Sequence, residues 1–277
     1  PAQMQSLLNG LSLELVLTAH PTESRRRTVV SKLQRIAQQL ETLADDPLTP
    51  RERERITAEI HAEVVGLWLT DRTRTVKMTV TDEVKTGLYF VESVFWDALP
   101  ELYADLDQAL ASHYPGVASP PNWLRLASWM GGDRDGNPNV THEVTAETLR
   151  LHRGLAVESH RRTLQDLARR LSMSSERLPA SPALTAWIES RRPLPPHVKF
   201  IEERYSAEPY RLVLSLLAAD LAEASSDDMT ARLLGRTPHQ ARINLQDLLE
   251  PIELISATLP DSLRRNALDQ VRRQLNI

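Results

Sequence analysis

The chain has 277 residues, a formal net charge of −4 and no cysteine. Its hydrophobic fraction of 41% and charged fraction of 25% are those of a folded globular protein, which excludes the disordered and fibrous classes. The lack of cysteine excludes disulfide scaffolds, thiol nucleophiles and cysteine-ligated zinc, and the acidic charge argues against a general nucleic-acid binder. The lack of cysteine also makes the cytoplasm the default compartment, and no apolar run approaches the roughly 18 residues of a membrane span.

Helical spacing dominates the first part of the chain. Residues 13–18 form a short apolar run that predicts a strand. Apolar residues then recur at steps of three and four and predict a helix that ends near Pro47. A second helix start is indicated by Thr49-Pro50-Arg51-Glu52, which offers a capping threonine, a proline at the first helical position and a glutamate three residues after the cap. A third helix is predicted over residues 84–95, and Pro100 should kink or restart it.

A loop rich in turn-forming residues at 114–122 is the best internal boundary, and it divides the chain into residues 1–116 and 117–277. Residues 124–130 are apolar, end at glycine and predict a second strand. Helical spacing resumes at Thr141, and later helix starts are indicated at three prolines, Pro182, Pro209 and Pro238. The predicted fold is therefore mainly α, with about two short strands.

His20 follows the first predicted strand and precedes a helix, the position where open sheets and barrels place ligand-binding residues. Pro21 ends the strand, and Thr22 can cap the helix so that its positive dipole end lies near the imidazole. Three successive arginines at positions 25–27 oppose that dipole, and a bound anion would relieve the conflict. The alternative is a hydrogen-bonded turn histidine beside a solvated arginine face. The residues alone leave both interpretations open.

Three of the nine glycines fall within six residues of the segment that follows the second strand, Gly131-Gly132-Asp133-Arg134-Asp135-Gly136-Asn137-Pro138. Glycine permits left-handed backbone angles and close approach of backbone N–H groups to an anion, and Arg134 could add a charged clamp held by Asp133 or Asp135. A tight strand-to-helix connection with acidic turn residues explains the same pattern. The spacing does not fit a calcium loop, a dinucleotide fingerprint or a phosphate loop.

Two histidines, His152 and His160, lie on the long helix predicted after Thr141, without carboxylates at a metal-binding spacing. We interpret them as ordinary helix residues, and we interpret Trp123 and Trp129 as packing residues. The sequence therefore predicts no metal site of its own.

Two segments resemble signatures of the phosphoenolpyruvate carboxylase family. Residues 16–27, VLTAHPTESRRR, are similar to its histidine signature. Residues 128–138, SWMGGDRDGNP, are similar to its glycine-aspartate-arginine loop. Weaker similarity at residues 67–71, 81–84 and 208–212 extends the resemblance over nearly the whole chain in the family's order.

The resemblance implies a lyase that adds bicarbonate to phosphoenolpyruvate to give oxaloacetate and phosphate, with Mg²⁺ or Mn²⁺. It also implies carbon dioxide fixation in the cytoplasm, oxaloacetate metabolism linked to the tricarboxylic acid cycle, and a homo-oligomer, a tetramer. In the family's scheme, carboxyphosphate and the pyruvate enolate are the intermediates. The resemblance assigns His20 as the residue that accepts a proton from carboxyphosphate, with Asp133 and Arg134 as supporting residues and Arg26 as a further one.

Length is the departure from the family, whose members are several times longer. Their second half supplies a catalytic lysine segment, metal-binding carboxylates and a glycine- and arginine-rich loop, and we find none of these here. Residues 1–277 are therefore expected to be a partial catalytic region, the helix-rich portion of an elaborated barrel, which needs the remainder of the polypeptide and is inactive alone. The first residue, Pro1, suits a processed or excerpted chain. The alternative is a stand-alone helical module that binds an anion or a partner without catalysis.

Overall fold

The computed structural model describes residues 1–18, 27–45, 47–71, 78–194, 198–225 and 243–276. Over these ranges the chain is mainly helical with one two-stranded sheet, so the predicted fold class is confirmed. The strands are β1 (Leu13–Leu17) and β2 (Leu124–Ser128). The helices are α1 (Ala2–Asn9), α2 (Arg27–Asp45), α3 (Pro50–Trp68), α4 (Val80–Phe90), α5 (Trp96–His113), α6 (His142–Arg170), α7 (Pro182–Ser190), α8 (Lys199–Tyr205), α9 (Pro209–Ser225), α10 (Leu245–Ser256), α11 (Asp261–Leu263) and α12 (Asp269–Asn276).

The two strands pair in parallel, in a register that joins Leu13 to Leu124 and Leu17 to Ser128. Two further backbone hydrogen bonds close the ends of the ladder: Leu13 donates to the Trp123 carbonyl at 2.6 Å, and Trp129 donates to the Leu17 carbonyl at 2.9 Å. Parallel pairing places both carboxyl ends on one edge of the sheet. The segments that follow β1 and β2 therefore leave from the same edge.

The predicted start signals operate through local side-chain capping. The Thr49 hydroxyl accepts the Glu52 N–H at 3.3 Å, and the Glu52 carboxylate accepts the Thr49 N–H at 2.9 Å, so the predicted capping box is confirmed. Helix α7 begins at Pro182, where the Ser181 hydroxyl accepts from Leu184 at 3.1 Å, and α9 begins at its own predicted proline. The start predicted at Pro238 lies outside the described residues.

The helix around Pro100 is interrupted earlier than the sequence predicts. Helix α4 ends at Phe90, a π-helical turn spans Val91–Phe95, and α5 then runs from Trp96 through Pro100 without a break. The restart falls four residues before the proline, at the residue whose carbonyl a regular helix would join to position 100. The π-helical turn before Trp96 and a hydrogen bond from Gln274 to the Trp96 carbonyl accommodate the proline.

Most of the buried side chains form one core, built by α6 to α10 and α12 with the π-helical turn at Arg264–Leu268. Its fully buried members include Leu164, Leu217 and Ile252. A smaller cluster joins α5 to the sheet. There the Tyr103 hydroxyl donates to the Leu124 carbonyl at 2.9 Å and accepts the Leu124 N–H at 3.0 Å, which fixes β2 against α5.

Candidate functional site

The shared edge of the sheet is where the predicted site residues leave the strands. The segment that contains His20 continues from β1, and the segment that contains Asp133 and Arg134 continues from β2. His20 and Arg26 themselves lie outside the described residues. The hydrogen bond between Trp129 and Leu17 ties the beginning of the second segment to the end of the first strand.

Residues 130–140 form a loop between β2 and α6, which we call the glycine-rich loop. The amides of Gly132 and Asp133 both donate to the Trp129 carbonyl at 3.0 Å, which folds the beginning of the loop into a tight turn. Gly131 and Gly136 have φ angles of 74° and 69°, in the left-handed region that favours glycine. Two of the three glycines in this segment therefore have a conformational reason to be glycine.

Most amides of the glycine-rich loop have acceptors, either in the loop itself or in Ser128 and Trp129 just before it. The Asp133 carboxylate accepts the Asp135 N–H at 3.0 Å, and the Asn137 amide oxygen accepts the Asn139 N–H at 3.1 Å. Within the described ranges, the amides of Gly131, Arg134 and Gly136 have no such acceptor. The loop is thus mainly a self-bonded support for side chains, and only a few of its N–H groups remain available to an anion.

The side chains of Asp133 and Arg134 are both exposed. In one of the two interpretations of the sequence, Arg134 adds a charged clamp that Asp133 or Asp135 holds in place. In the part of the chain that the structure describes, Arg134 forms no ion pair with either, and Asp133 holds a loop amide instead. The guanidinium of Arg134 therefore keeps its five donors for another acceptor.

Gly131 is held between two helices at the base of the loop. Its carbonyl accepts the Thr145 hydroxyl of α6 at 2.9 Å. A Cβ atom at this position would lie 2.9 Å from the Thr148 Cβ atom and 2.9 Å from the Val84 Cγ2 atom of α4. Sequence reasoning missed Thr145 and Thr148. The only signal was two threonines three residues apart on one helical face, which is too common to indicate a site.

A cavity of about 160 Å³ lies behind the strand ends. Its lining includes Leu17 and Ser128, the last residues of the strands, together with Gly87 of α4 and His152 of α6. Burial lowers the pKa of His152, so this imidazole is neutral near pH 7. The sequence placed His152 on a helix without relating it to the strand ends.

A larger cavity, of about 350 Å³, lies apart from the strand ends, between α5, α6 and α12. Its lining includes Trp96, Ser159 and Gln274. His160, on the same helix as Ser159, packs edge-on against Trp96 with ring centroids 4.8 Å apart, and burial lowers its pKa to about 4. His152 and His160 are therefore partly buried residues of α6, and their place on this helix is as the sequence predicted.

The described residues hold neither a cluster of metal ligands nor a membrane-spanning helix. No group of three or more histidine, aspartate or glutamate side chains within them is placed to hold a metal ion. Among the described helices, none has the length and apolar character needed to cross a membrane.

Comparison with known proteins gives a consistent result over the whole chain. The sequence model of the phosphoenolpyruvate carboxylase family matches residues 1–277. The chain is 40% identical to the phosphoenolpyruvate carboxylase of Pseudomonas paraeruginosa over 265 residues, and 38% identical to that of Roseiflexus castenholzii over 262 residues. These alignments cover 94% and 92% of this chain, and the chain spans 28% of the length of each relative.

Proposed function

Because this chain belongs to the phosphoenolpyruvate carboxylase family, we propose that it is part of an enzyme that adds bicarbonate to phosphoenolpyruvate, giving oxaloacetate and phosphate. The chain spans 28% of its relatives' length, so the activity is proposed for the longer polypeptide to which it would belong. The described residues would then be the helix-rich region around two strands of a larger barrel. On the same family ground, we propose that the longer protein is cytoplasmic and forms a homo-oligomer, a tetramer.

The exposed apolar side chains of β1 support a longer parent protein. Strand β1 is only five residues long, and three of its apolar side chains are exposed. The exposed fractions are 49% for Leu13, 41% for Leu15 and 39% for Val16. An isolated parallel pair with apolar exposed faces is unusual, because parallel sheets are normally covered on both sides. Further strands and helices of the same polypeptide would cover these side chains.

In the proposed reaction a bicarbonate oxygen attacks the phosphoryl group of phosphoenolpyruvate. The bond from phosphorus to the enol oxygen breaks, which leaves carboxyphosphate and the pyruvate enolate. We propose that His20 then accepts the carboxyl proton of carboxyphosphate, so that its carbon–oxygen bond breaks and releases carbon dioxide and phosphate. The enolate carbon attacks the carbon dioxide and forms oxaloacetate. A neutral imidazole suits this step, and cations beside it would keep it neutral.

One observation carries the placement of the site: the Trp129 N–H donates to the Leu17 carbonyl at 2.9 Å. It supports an arrangement in which the segments holding His20 and Arg134 begin side by side at the carboxyl ends of parallel strands, where barrels and open sheets bind ligands. Arg134, exposed and without an ion pair among the described residues, suits a phosphate or carboxylate. Arg26 and Asp133 are proposed as supporting residues.

The divalent metal of the family, Mg²⁺ or Mn²⁺, does not fit the described residues, because they contain no cluster of three or more suitable ligands. We propose that carboxylates elsewhere in the longer polypeptide hold it. No step above is assigned to the metal, and the chain on its own is proposed to be inactive.

The test is His20→Asn in the longest protein that the reading frame encodes, with His61→Asn on the exposed face of α3 as the control. Oxaloacetate formation should fall by about 10²- to 10⁴-fold, the usual contribution of a general base, and phosphate release should fall less. Full oxaloacetate synthesis by His20→Asn would remove the assigned role. A reading frame that stops at Ile277, with a product that binds phosphate without turnover, would favour the helical binding module instead.

A further inference from the structure

We propose that Thr145 is a positioning residue of the carboxylase site, because it anchors the glycine-rich loop that carries Asp133 and Arg134. This role rests on the proposed function. Thr145 lies in the first turn of α6, and its contact with the loop joins residues 14 positions apart in sequence.

The anchor is a single hydroxyl. Thr145 is half-buried, and its Oγ1 atom lies 2.9 Å from the Gly131 carbonyl oxygen and 3.1 Å from the Thr141 carbonyl oxygen. The Thr141 carbonyl has a second donor, the Thr145 backbone N–H at 3.0 Å. Removal of the hydroxyl therefore leaves the helix bond of Thr141 in place and takes the side-chain donor from Gly131.

Gly131 is confined by its surroundings, so the hydrogen bond from Thr145 sets the direction of its carbonyl. The helix faces on either side leave no space for a side chain, since a Cβ atom there would overlap the Thr148 Oγ1 atom and lie 2.9 Å from the Val84 Cγ2 atom. The Thr148 hydroxyl donates to the Val144 carbonyl at 2.8 Å, so Thr148 contributes volume rather than a bond to the loop. Packing restricts Gly131 laterally, and Thr145 fixes the direction of its carbonyl.

Among the described residues, none attaches the tip of the loop in a comparable way. Gly132 is exposed, and a Cβ atom at Gly136 would meet nothing within 4 Å. The exposed side chains of Asp133 and Arg134 follow the anchored residue by only two and three positions. A change in the direction of the Gly131 carbonyl is therefore transmitted directly to the two proposed site residues.

The test compares Thr145→Val, which keeps the shape but loses the hydroxyl, with Thr145→Ser, which keeps the hydroxyl. Thr86→Val is the matched control, because Thr86 is a half-buried helix threonine whose hydroxyl donates to the carbonyl of Asp82 at 2.9 Å. All are made in the longest protein that the reading frame encodes. Steady-state kinetics give kcat and the KM for phosphoenolpyruvate. Hydrogen exchange is measured on the amides of residues 130–140.

Thr145→Val should lower kcat about tenfold, since small misplacements of site residues have large effects on rate, and it should speed exchange in the loop. Thr145→Ser should restore both, and Thr86→Val should change neither. Unchanged kcat in Thr145→Val, or a loss that Thr145→Ser shares, would overturn the positioning role. An unmodified protein without carboxylase activity would instead overturn the proposed function and the role that rests on it, while the exchange data would still report whether the anchor exists.

Discussion

Gln274, on the last helix, donates its side-chain amide to the carbonyl oxygen of Trp96 at 3.2 Å, across 178 positions of sequence. This carbonyl is the one that a regular helix would join to the N–H of residue 100, and Pro100 has no N–H. The glutamine therefore supplies the donor that the proline lacks. The contact also ties α12 to α5.

We expect Gln274→Leu to lower the free energy of unfolding by about 1 kcal/mol, because the Trp96 carbonyl loses its donor. This loss of unfolding free energy is at the low end of the range for a removed hydrogen-bond partner. The reason is that the Gln274 Oε1 atom is buried without a hydrogen-bond partner among the described residues, and the substitution removes that atom too. Urea unfolding measures the change. In a Pro100→Ala background the restored N–H can bond Trp96, so Gln274→Leu should then cost clearly less. Equal losses in both backgrounds would show that the two groups are not coupled.

Gly131 and Gly136 provide a matched pair for the glycine-rich loop. Their φ angles of 74° and 69° are similar, but a side chain would meet Val84 and Thr148 at the first position and nothing within 4 Å at the second. Gly136→Ala should therefore lower the free energy of unfolding by about 1 kcal/mol, the cost of left-handed strain alone. Gly131→Ala should lower it by about 3 kcal/mol, because overpacking adds to the strain. Chemical denaturation checks the difference, and similar losses would contradict the clamped geometry.

The parts of the fold that the sequence predicted are those with local causes. The capping box of Thr49 and Glu52 acts across three residues, and the helix start at Pro182 depends on its immediate neighbour Ser181. The two strands were recognisable from short apolar runs bounded by turn formers. Each of these signals is complete within a few positions of the chain.

The features that the sequence did not predict depend on distant residues. The π-helical turn that interrupts the helix before Pro100 is followed by a contact from Gln274 on α12 to Trp96, and the parallel register of the strands joins residues more than a hundred positions apart. At the candidate site, the motifs identified the loop, but the contact from Thr145 to Gly131 requires the known path of α6. The same limit applies to His160, whose burial depends on Trp96.

His160 should make stability depend on pH in the mildly acidic range. Burial lowers its pKa to about 4, whereas a histidine in the unfolded chain titrates near about 6.5. The unfolded chain therefore binds more protons between these values, so this contribution to stability is complete above about pH 6.5 and is lost as the pH falls toward 4. The shift corresponds to about 3 kcal/mol across that window.

His160→Phe keeps an aromatic ring against Trp96 and should flatten the dependence of unfolding free energy on pH between about 7 and 4.5. His61→Phe, at an exposed position of α3, is the control for the loss of a histidine as such. Urea unfolding at a series of pH values measures both slopes. A slope that persists in His160→Phe would assign the acid sensitivity to other groups.

Arg134 is the described residue on which the anion-binding part of the proposed function depends. Its side chain is exposed and has no ion pair among the described residues, so Arg134→Gln should change the free energy of unfolding by less than about 0.5 kcal/mol. If the guanidinium binds the phosphate or a carboxylate of the substrate, kcat/KM should fall about 10- to 100-fold, the loss expected for a charge-assisted hydrogen bond. Arg134→Lys should recover only part of the lost kcat/KM, because a point charge lacks the planar fork of a guanidinium.

Arg150→Gln is the control, since that guanidinium pairs with Glu147 at 2.7 Å on α6. Steady-state kinetics of the three variants in the longest protein that the reading frame encodes measure the effect, and an unchanged kcat/KM for Arg134→Gln would place Arg134 outside the substrate site.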